Sequence, residues 1–216
     1  MLLSEHPGIY LPPEEGAGRS SDTPQWSSFD VRMARDSRLF VLPEPCITNK
    51  TLVPTYFVYP KDKSTANAIL ILTDIIGHVA VNVQLIADQL AANGYFVVIP
   101  DLFHGDPVEL GSMSSGKVSL QDWLKNHGTE TVDPVIQTVL KELRGPLGAK
   151  KIGSIGYCFG AKYVVRFLKD GHLDAGFVAH PSFVSPEELR AITGPLSIAA
   201  AGKSSDVIAK FLSAHY

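Results

Sequence analysis

The sequence predicts an α/β fold in which a mostly parallel sheet carries helices on both faces. Short apolar runs alternate with stretches of helical apolar period, and turn residues such as Gly, Pro and Asn separate the two kinds of segment. None of the runs approaches the length of about 20 apolar residues that a membrane span needs. With 216 residues, 45% of them apolar and 19% charged, the chain is large enough to bury a core without disulfides or metal.

Six short segments are predicted to be strands, among them the apolar runs at 68–73 and 95–99, which are typical of strands buried on both faces. They are Tyr56–Tyr59, Ala68–Thr73, Tyr95–Ile99, Lys151–Gly156, Ala175–Ala179 and Leu196–Ala201. Right-handed crossovers would bring the carboxyl ends of these strands to one edge of the sheet. Ligands bind at that edge in sheets of this kind, so functional residues are expected directly after strands.

Four stretches of helical pattern separate the predicted strands. They are Val79–Leu90, Val135–Leu143, Ala161–Leu168 and the short segment that Ser185–Glu188 opens. Asp133 and Pro134 have the pattern of an N-cap followed by proline at the first helical position, which predicts a helix start there. Ser185 and Glu188 have the spacing of a capping box. Arg166, on the third helix, is expected on a solvated face.

Residues 1–50 differ from the rest of the chain. Pro, Gly and Ser supply 15 of them and no apolar period persists, which predicts a weakly ordered N-terminal extension before one domain at 51–216. The first residues lack the basic and apolar regions of a signal peptide. Two cysteines, Cys46 and Cys158, are too few for a disulfide framework. A cytoplasmic location is therefore expected.

Charge and motif content narrow the function. A net charge of −3 disfavours nucleic acid and anionic membranes as partners. The patterns H-E-x-x-H, P-loop and G-x-G-x-x-G do not occur, which disfavours zinc proteases, NTPases and dinucleotide enzymes. His104 and Asp106 are too few for a metal site. The sequence therefore predicts a small-molecule substrate and no metal or organic cofactor, and it leaves the oligomeric state open.

The sharpest functional signal is Gly156-Tyr157-Cys158-Phe159-Gly160, between a predicted strand and a predicted helix. It has the form of a nucleophile elbow with cysteine in place of the usual serine. The glycines permit a sharp turn, and the helix N-terminus would favour the thiolate. The amide of Phe159 would point into the site as an oxyanion donor. The alternative is a buried structural cysteine in a glycine-rich turn.

Several segments resemble the dienelactone hydrolase family, a branch of the α/β-hydrolase fold that uses a cysteine nucleophile. They are Leu72–His78, Pro100–Asp106 and Ile155–Lys162, and two more, Ala179–Phe183 and Gly194–Ala201, are similar to fungal members. The resemblance covers roughly residues 55–201 and implies hydrolysis of lactones or small esters through a thioester on Cys158. Fungal members suggest aromatic catabolism or secondary-metabolite biosynthesis as the setting. Dienelactone itself is disfavoured, because no arginine can be placed to bind its carboxylate.

The resemblance also implies roles for two residues after the second predicted strand. The amide of Ile75 would complete the oxyanion hole with that of Phe159. Asp74 stands where members carry an acidic residue that helps to control the charge on the cysteine. The alternative is that Asp74 caps the helix that follows.

The family's catalytic acid follows the strand that ends here at Ala201, and its histidine comes later. That histidine region is not found, so the sequence predicts a C-terminally truncated form of the fold. Asp206 and His215 stand in the family's order, although Asp206 also fits the start of a short helix. His104 and His180 follow strands and could line the pocket or replace the base. Without a working base, the chain would be a non-catalytic ligand-binding homologue or an incomplete gene product.

Overall fold

A computed structural model describes residues 53–199 and the backbone of Phe40 and Val41. Its strands are β1 (Phe40–Val41), β2 (Pro54–Val58), β3 (Asn67–Leu72), β4 (Phe96–Pro100), β5 (Lys151–Tyr157), β6 (Ala175–Ala179) and β7 (Leu196–Ala199). Its helices are α1 (Val81–Ala92), α2 (Leu120–Leu124), α3 (Thr129–Arg144), α4 (Phe159–Phe167) and α5 (Pro186–Arg190). Strand β1 lies inside the predicted N-terminal extension; the rest of 1–50 lies outside the described residues, and the division from the domain stays a prediction.

The strands of this part of the chain form one sheet in the order β1-β2-β4-β3-β5-β6-β7. Strands β4, β3, β5, β6 and β7 are parallel, and β2 is antiparallel to both β1 and β4. The predicted mostly parallel sheet is therefore confirmed. In the register of β3, β5 and β6, Leu72 pairs with Gly156 and Tyr157 pairs with Ala179. The loops after these three strands consequently start side by side at one edge.

Helices cover both faces of the sheet, as predicted. Along β3, Ile71 faces one side while Leu70 and Leu72 face the other, because side chains alternate along a strand. Ile71 belongs to the apolar cluster that includes the buried face of α1. Leu70 and Leu72 belong to the larger cluster, to which α3 and α4 contribute most of their buried residues. No helix within 53–199 is long and apolar enough to cross a membrane.

The predicted helix start at Asp133 is wrong. Helix α3 begins at Thr129, and Pro134 lies inside it. The extra turn forms because Val132 is fully buried in the core, and burial of an apolar side chain outweighs the local signal of Asp-Pro. Arg166 also departs from its predicted solvated position, since it pairs with Asp133. The capping box of Ser185 and Glu188 is confirmed.

Candidate active site

Cys158 occupies the turn between β5 and α4, where it is the N-cap residue of α4. Its backbone is left-handed, with φ +50° and ψ −107°. For a residue with a Cβ, such a conformation costs about 1–3 kcal/mol and persists only where the surroundings impose it. Here the Cys158 amide donates to the Ala179 carbonyl at 3.1 Å. The predicted strand–turn–helix is thus confirmed, and it leaves the thiol partly exposed at the carboxyl edge.

Two glycines let the elbow pack closely against its neighbours. A Cβ on Gly156 would lie 2.6 Å from the Cα of Ala161, so β5 and α4 meet only because none is present. A Cβ on Gly160 would overlap the carbonyl of Leu72 at the end of β3. Because glycine has no Cβ, the Gly160 amide comes close enough to donate to the Thr73 carbonyl at 3.0 Å. This hydrogen bond therefore connects α4, the elbow helix, directly to the loop after β3.

The loop after β3 brings Asp74 and Ile75, the two residues that follow Thr73, towards the elbow. The Asp74 carboxylate accepts a hydrogen bond from the Ile76 amide at 2.9 Å, and the Ile75 carbonyl accepts one from Val108 at 2.8 Å. These contacts fix the peptide group that follows Ile75, and the Asp74 carbonyl, in the peptide group that precedes it, accepts from the Gly77 amide at 3.2 Å. Phe159 is the first residue of α4, so its amide has no acceptor within the helix. The geometry places the two amides predicted as oxyanion donors on adjoining backbone segments.

Of the two interpretations of Asp74, the capping of the following helix is wrong. Helix α1 begins at Val81, and its N-cap residue Ala80 has no side-chain cap. Asp74 stabilises the turn of its own loop instead, through the Ile76 amide. The other interpretation, control of the charge on Cys158, stays a prediction.

The loop after β6 contains a contact that the sequence analysis did not identify. The Ser182 hydroxyl oxygen lies 3.4 Å from the Cys158 sulfur, and the Ser182 amide donates to the Cys158 carbonyl at 3.1 Å. No sequence signal singles out Ser182 within the segment after β6, because its place beside Cys158 depends on β6 being the direct neighbour of β5, the strand that carries the nucleophile. Ser182 joins Cys158, Phe159 and Ile75 at one edge of the sheet.

His104 and His180 are both exposed residues in loops that follow strands, β4 and β6 respectively. Both have left-handed backbones, with φ +52° and +38°. The ring of His180 lies 6.4 Å from that of Tyr157, the residue before the nucleophile. Whether either acts as a base stays a prediction. Asp206, His215 and Cys46 lie outside the described residues, so their predicted roles also stay predictions.

Buried histidines occupy other positions. His78 lies beside Asp101, with its Nδ1 3.7 Å from a carboxylate oxygen, and burial lowers the pKa of His78 despite that neighbour. His127 stacks on Trp123 with 4.0 Å between ring centroids, and its Nδ1 lies 2.8 Å from the Trp123 carbonyl. These contacts order the loops after β3 and β4. Residues 53–199 hold no cluster of three or more His, Cys, Asp or Glu side chains suited to a metal.

Ion pairs hold the elbow helix against the helices on either side. Glu188 of α5 accepts hydrogen bonds from Lys162 at 2.8 Å and from Arg166 at 2.9 Å. Burial raises the pKa of Glu188, but the bonds from Lys162, the Ser185 amide and Arg166 outweigh it and lower the pKa. Arg166 also donates to Asp133 of α3. Since Lys162 donates to the Phe183 carbonyl as well, the network reaches the loop that carries Ser182.

Comparison with known proteins identifies relatives of the chain. Residues 53–214 match the model of the dienelactone hydrolase family. The chain is 54% identical over 153 residues to hydrolase pyvD of Aspergillus violaceofuscus, a match that covers 71% of this chain and 62% of the relative. It is 51% identical over 161 residues to hydrolase tropI of Talaromyces stipitatus, covering 71% and 63%. The chain thus matches less than two thirds of the length of either relative.

Solved structures share the fold. One is a dienelactone hydrolase-like promiscuous phosphotriesterase, P91, from metagenomic libraries, with a TM-score of 0.57, 16% identity and coverage of 75% of this chain and 71% of that one. Another is a cold-adapted esterase from an Arctic intertidal metagenomic library, with a TM-score of 0.56, 14% identity and 74% coverage of each chain. At such identities the likeness concerns the fold, and it agrees with the predicted α/β-hydrolase-like architecture.

Proposed function

The chain belongs to the dienelactone hydrolase family, and from this premise we propose that it hydrolyses lactones or small carboxylic esters with Cys158 as the nucleophile. The observation that carries the proposal is the left-handed Cys158 in the turn between β5 and α4, with its sulfur at the carboxyl edge. A structural cysteine has no need of a strained backbone, whereas a nucleophile that must stand clear of the sheet does.

The proposed reaction has two steps. The Cys158 sulfur attacks the carbonyl carbon, the carbon–oxygen bond of the ester breaks, and the departing oxygen takes the proton lost by the thiol. Water then hydrolyses the thioester, which releases the carboxylic acid and returns a proton to the sulfur. The amides of Ile75 and Phe159 would donate to the oxyanion in both steps, since they belong to backbone that is fixed before substrate binds.

The proposed proton carrier is a histidine. The order in the family favours His215 with Asp206, and position after a strand favours His180 or His104. The proposed substrate is a small molecule in the cytoplasm, in fungal aromatic catabolism or secondary-metabolite biosynthesis; similarity to fungal hydrolases supports this setting. The proposed chemistry uses no metal or organic cofactor and no nucleic-acid or membrane partner.

The test is hydrolysis of p-nitrophenyl acetate by the purified full chain, compared with Cys158→Ala and with Cys46→Ala as the matched cysteine control. We expect sustained release of p-nitrophenol from the wild type and from Cys46→Ala, and none above background from Cys158→Ala. Sustained turnover by Cys158→Ala would contradict the proposal. A single burst without turnover from the wild type would contradict the second step and favour a chain without a working base.

Sustained turnover makes the base identifiable. His104→Gln, His180→Gln and His215→Gln are then compared for the loss of turnover with retention of the burst, because sulfur is an intrinsically strong nucleophile, whereas water needs a base to attack the thioester. If all three variants keep full turnover, a histidine base among them is excluded.

A further inference from the structure

We propose that the Ser182 hydroxyl is a catalytic hydrogen-bond donor to the sulfur of Cys158, which stabilises the thiolate before attack and again when the thioester breaks. The inference deepens the proposed function and rests on it. It concerns a residue in a different loop from the elbow, and it predicts a property of the thiol that is measurable without any substrate.

The contact is specific to two side chains. The Ser182 oxygen and the Cys158 sulfur lie 3.4 Å apart, within hydrogen-bond range for sulfur. Within residues 53–199, this is the one hydrogen bond formed by either side chain. The hydroxyl is therefore not engaged in capping a turn, and rotation of its proton can direct it to the sulfur.

Backbone contacts on both sides fix the position of Ser182. Its amide donates to the Cys158 carbonyl at 3.1 Å, so the two residues are held together independently of their side chains. The His180 amide donates to Ala199 at 2.8 Å, and Lys162 donates to the Phe183 carbonyl at 2.8 Å. The strained left-handed backbones of His180 and Phe183, with φ +38° and +61°, bracket the serine. A loop held in this way presents the hydroxyl in one place.

The charge on sulfur decides what the hydroxyl does. A neutral thiol and a serine form a weak hydrogen bond in either direction, whereas a thiolate only accepts, and bonds to charged groups are stronger. The hydroxyl thus favours the charged form, in addition to the N-terminus of α4. In the second step the carbon–sulfur bond breaks and its electron pair returns to sulfur, which accepts the same hydrogen bond. No atom is transferred from Ser182.

The test measures the rate of alkylation of Cys158 by iodoacetamide against pH, in the full chain. Peptide mass spectrometry separates modification of Cys158 from that of Cys46. The variants are Ser182→Ala, which removes the hydroxyl, and Ser182→Thr, which keeps it. Ser114→Ala is the matched control, because the Ser114 hydroxyl bonds to a backbone carbonyl in another loop, at 3.0 Å from Gly111. Thermal unfolding checks that each variant is folded.

For Ser182→Ala we expect the midpoint of the alkylation profile to move upward by about one pH unit, since a hydrogen bond to a charged group changes such an equilibrium about tenfold or more. On the low-pH side of both midpoints the rate should fall about threefold to fourfold, because the more basic thiolate is also more nucleophilic and offsets part of the loss. Ser182→Thr and Ser114→Ala should keep the wild-type midpoint. A wild-type midpoint in Ser182→Ala overturns the proposal, and so does a shift that Ser182→Thr shares.

This experiment separates the inference from the proposed function, because alkylation requires no ester and no base for deacylation. If the wild type fails to hydrolyse esters and Ser182→Ala still shifts the profile, the hydrogen bond stands and the proposed function fails. If the wild type hydrolyses esters and the profiles coincide, the proposed function stands and the role of Ser182 is refuted.

Discussion

Gly160→Ala should disrupt the junction between the elbow helix and β3. The added Cβ would overlap the backbone carbonyl of Leu72, and backbone at the end of a buried strand cannot rotate away as a flexible side chain can. The shift needed to relieve the overlap would also stretch the 3.0 Å hydrogen bond from the Gly160 amide to Thr73. Because Thr73 lies two residues before Ile75, we expect the loop that carries the predicted oxyanion donor Ile75 to move with it.

The expected loss of stability follows from these contacts. Overpacking costs about 1–3 kcal/mol, and a backbone clash belongs at the upper end of that range. The weakened hydrogen bond adds about 1 kcal/mol, and the higher helix propensity of alanine returns up to about 1 kcal/mol. We therefore expect a net loss of about 3 kcal/mol in the free energy of unfolding. For a chain of this length, that lowers the Tm by about 6–12 °C.

The assay is urea and thermal unfolding of Gly160→Ala beside Gly153→Ala. Gly153 lies in β5, seven residues earlier, where a Cβ would find its nearest neighbour at 4.0 Å, the Ala68 carbonyl oxygen. This matched control adds the same methyl group at an ordinary contact distance and should leave stability within about 0.5 kcal/mol of the wild type or raise it. If Gly160→Ala is as stable as Gly153→Ala, the argument from close packing is refuted.

Three further predictions concern the surroundings of the elbow. Glu188→Gln should lower the free energy of unfolding by about 2 kcal/mol in urea, because Lys162 and Arg166 keep their charges and lose a partner that is mostly buried. Burial lowers the pKa of His78 below its ordinary 6.5, so the neutral form is favoured by folding. The contribution of neutral His78 to the free energy of unfolding should be complete above pH 6.5 and be lost as the pH falls below that value. The free energy of unfolding of the wild type should then fall by up to about 1.4 kcal/mol per pH unit, and His78→Gln should remove this slope. Cys46→Ala should leave the rate of ester hydrolysis unchanged, since its position falls in the predicted extension.

Matched variants test the first two of these. Glu187→Gln changes the neighbouring residue, whose exposed carboxylate should contribute little, so an equal loss in both variants would contradict the network at Glu188. His172→Gln makes the same change at an exposed histidine and controls for the substitution itself. A slope that persists in His78→Gln would show that another group titrates in that range.

Local patterns in the sequence were sufficient for most of the fold. The apolar run Ala175–Ala179 forms a strand with those bounds, and the capping box at Ser185 is present, because both depend on neighbouring residues. The start of α3 was mispredicted since the burial of Val132 depends on the whole core. Arg166 was mispredicted for a related reason, because its partners come from two other helices.

The candidate site was also predictable from the sequence only in part. The elbow at Cys158 was predictable because strand, glycine-rich turn and helix are contiguous in the chain. Ser182 could not be ranked from the sequence, since its contact with Cys158 depends on the parallel pairing of β5 with β6 and on a left-handed turn at His180. Loop residues that follow neighbouring strands lie close together in space although they are far apart in the sequence. A local sequence pattern therefore does not predict their contacts.

The claim that Cys158 is the nucleophile is tested most directly by locating the acyl group. The full chain is mixed with p-nitrophenyl acetate, quenched in acid and digested, and its peptides are analysed by mass spectrometry. We expect an acetyl group on the peptide that contains Cys158, removable by neutral hydroxylamine as a thioester is, and absent from Cys158→Ala. Hydrolysis of the ester with no acetyl group on Cys158, or with one on Ser182 instead, would contradict the account.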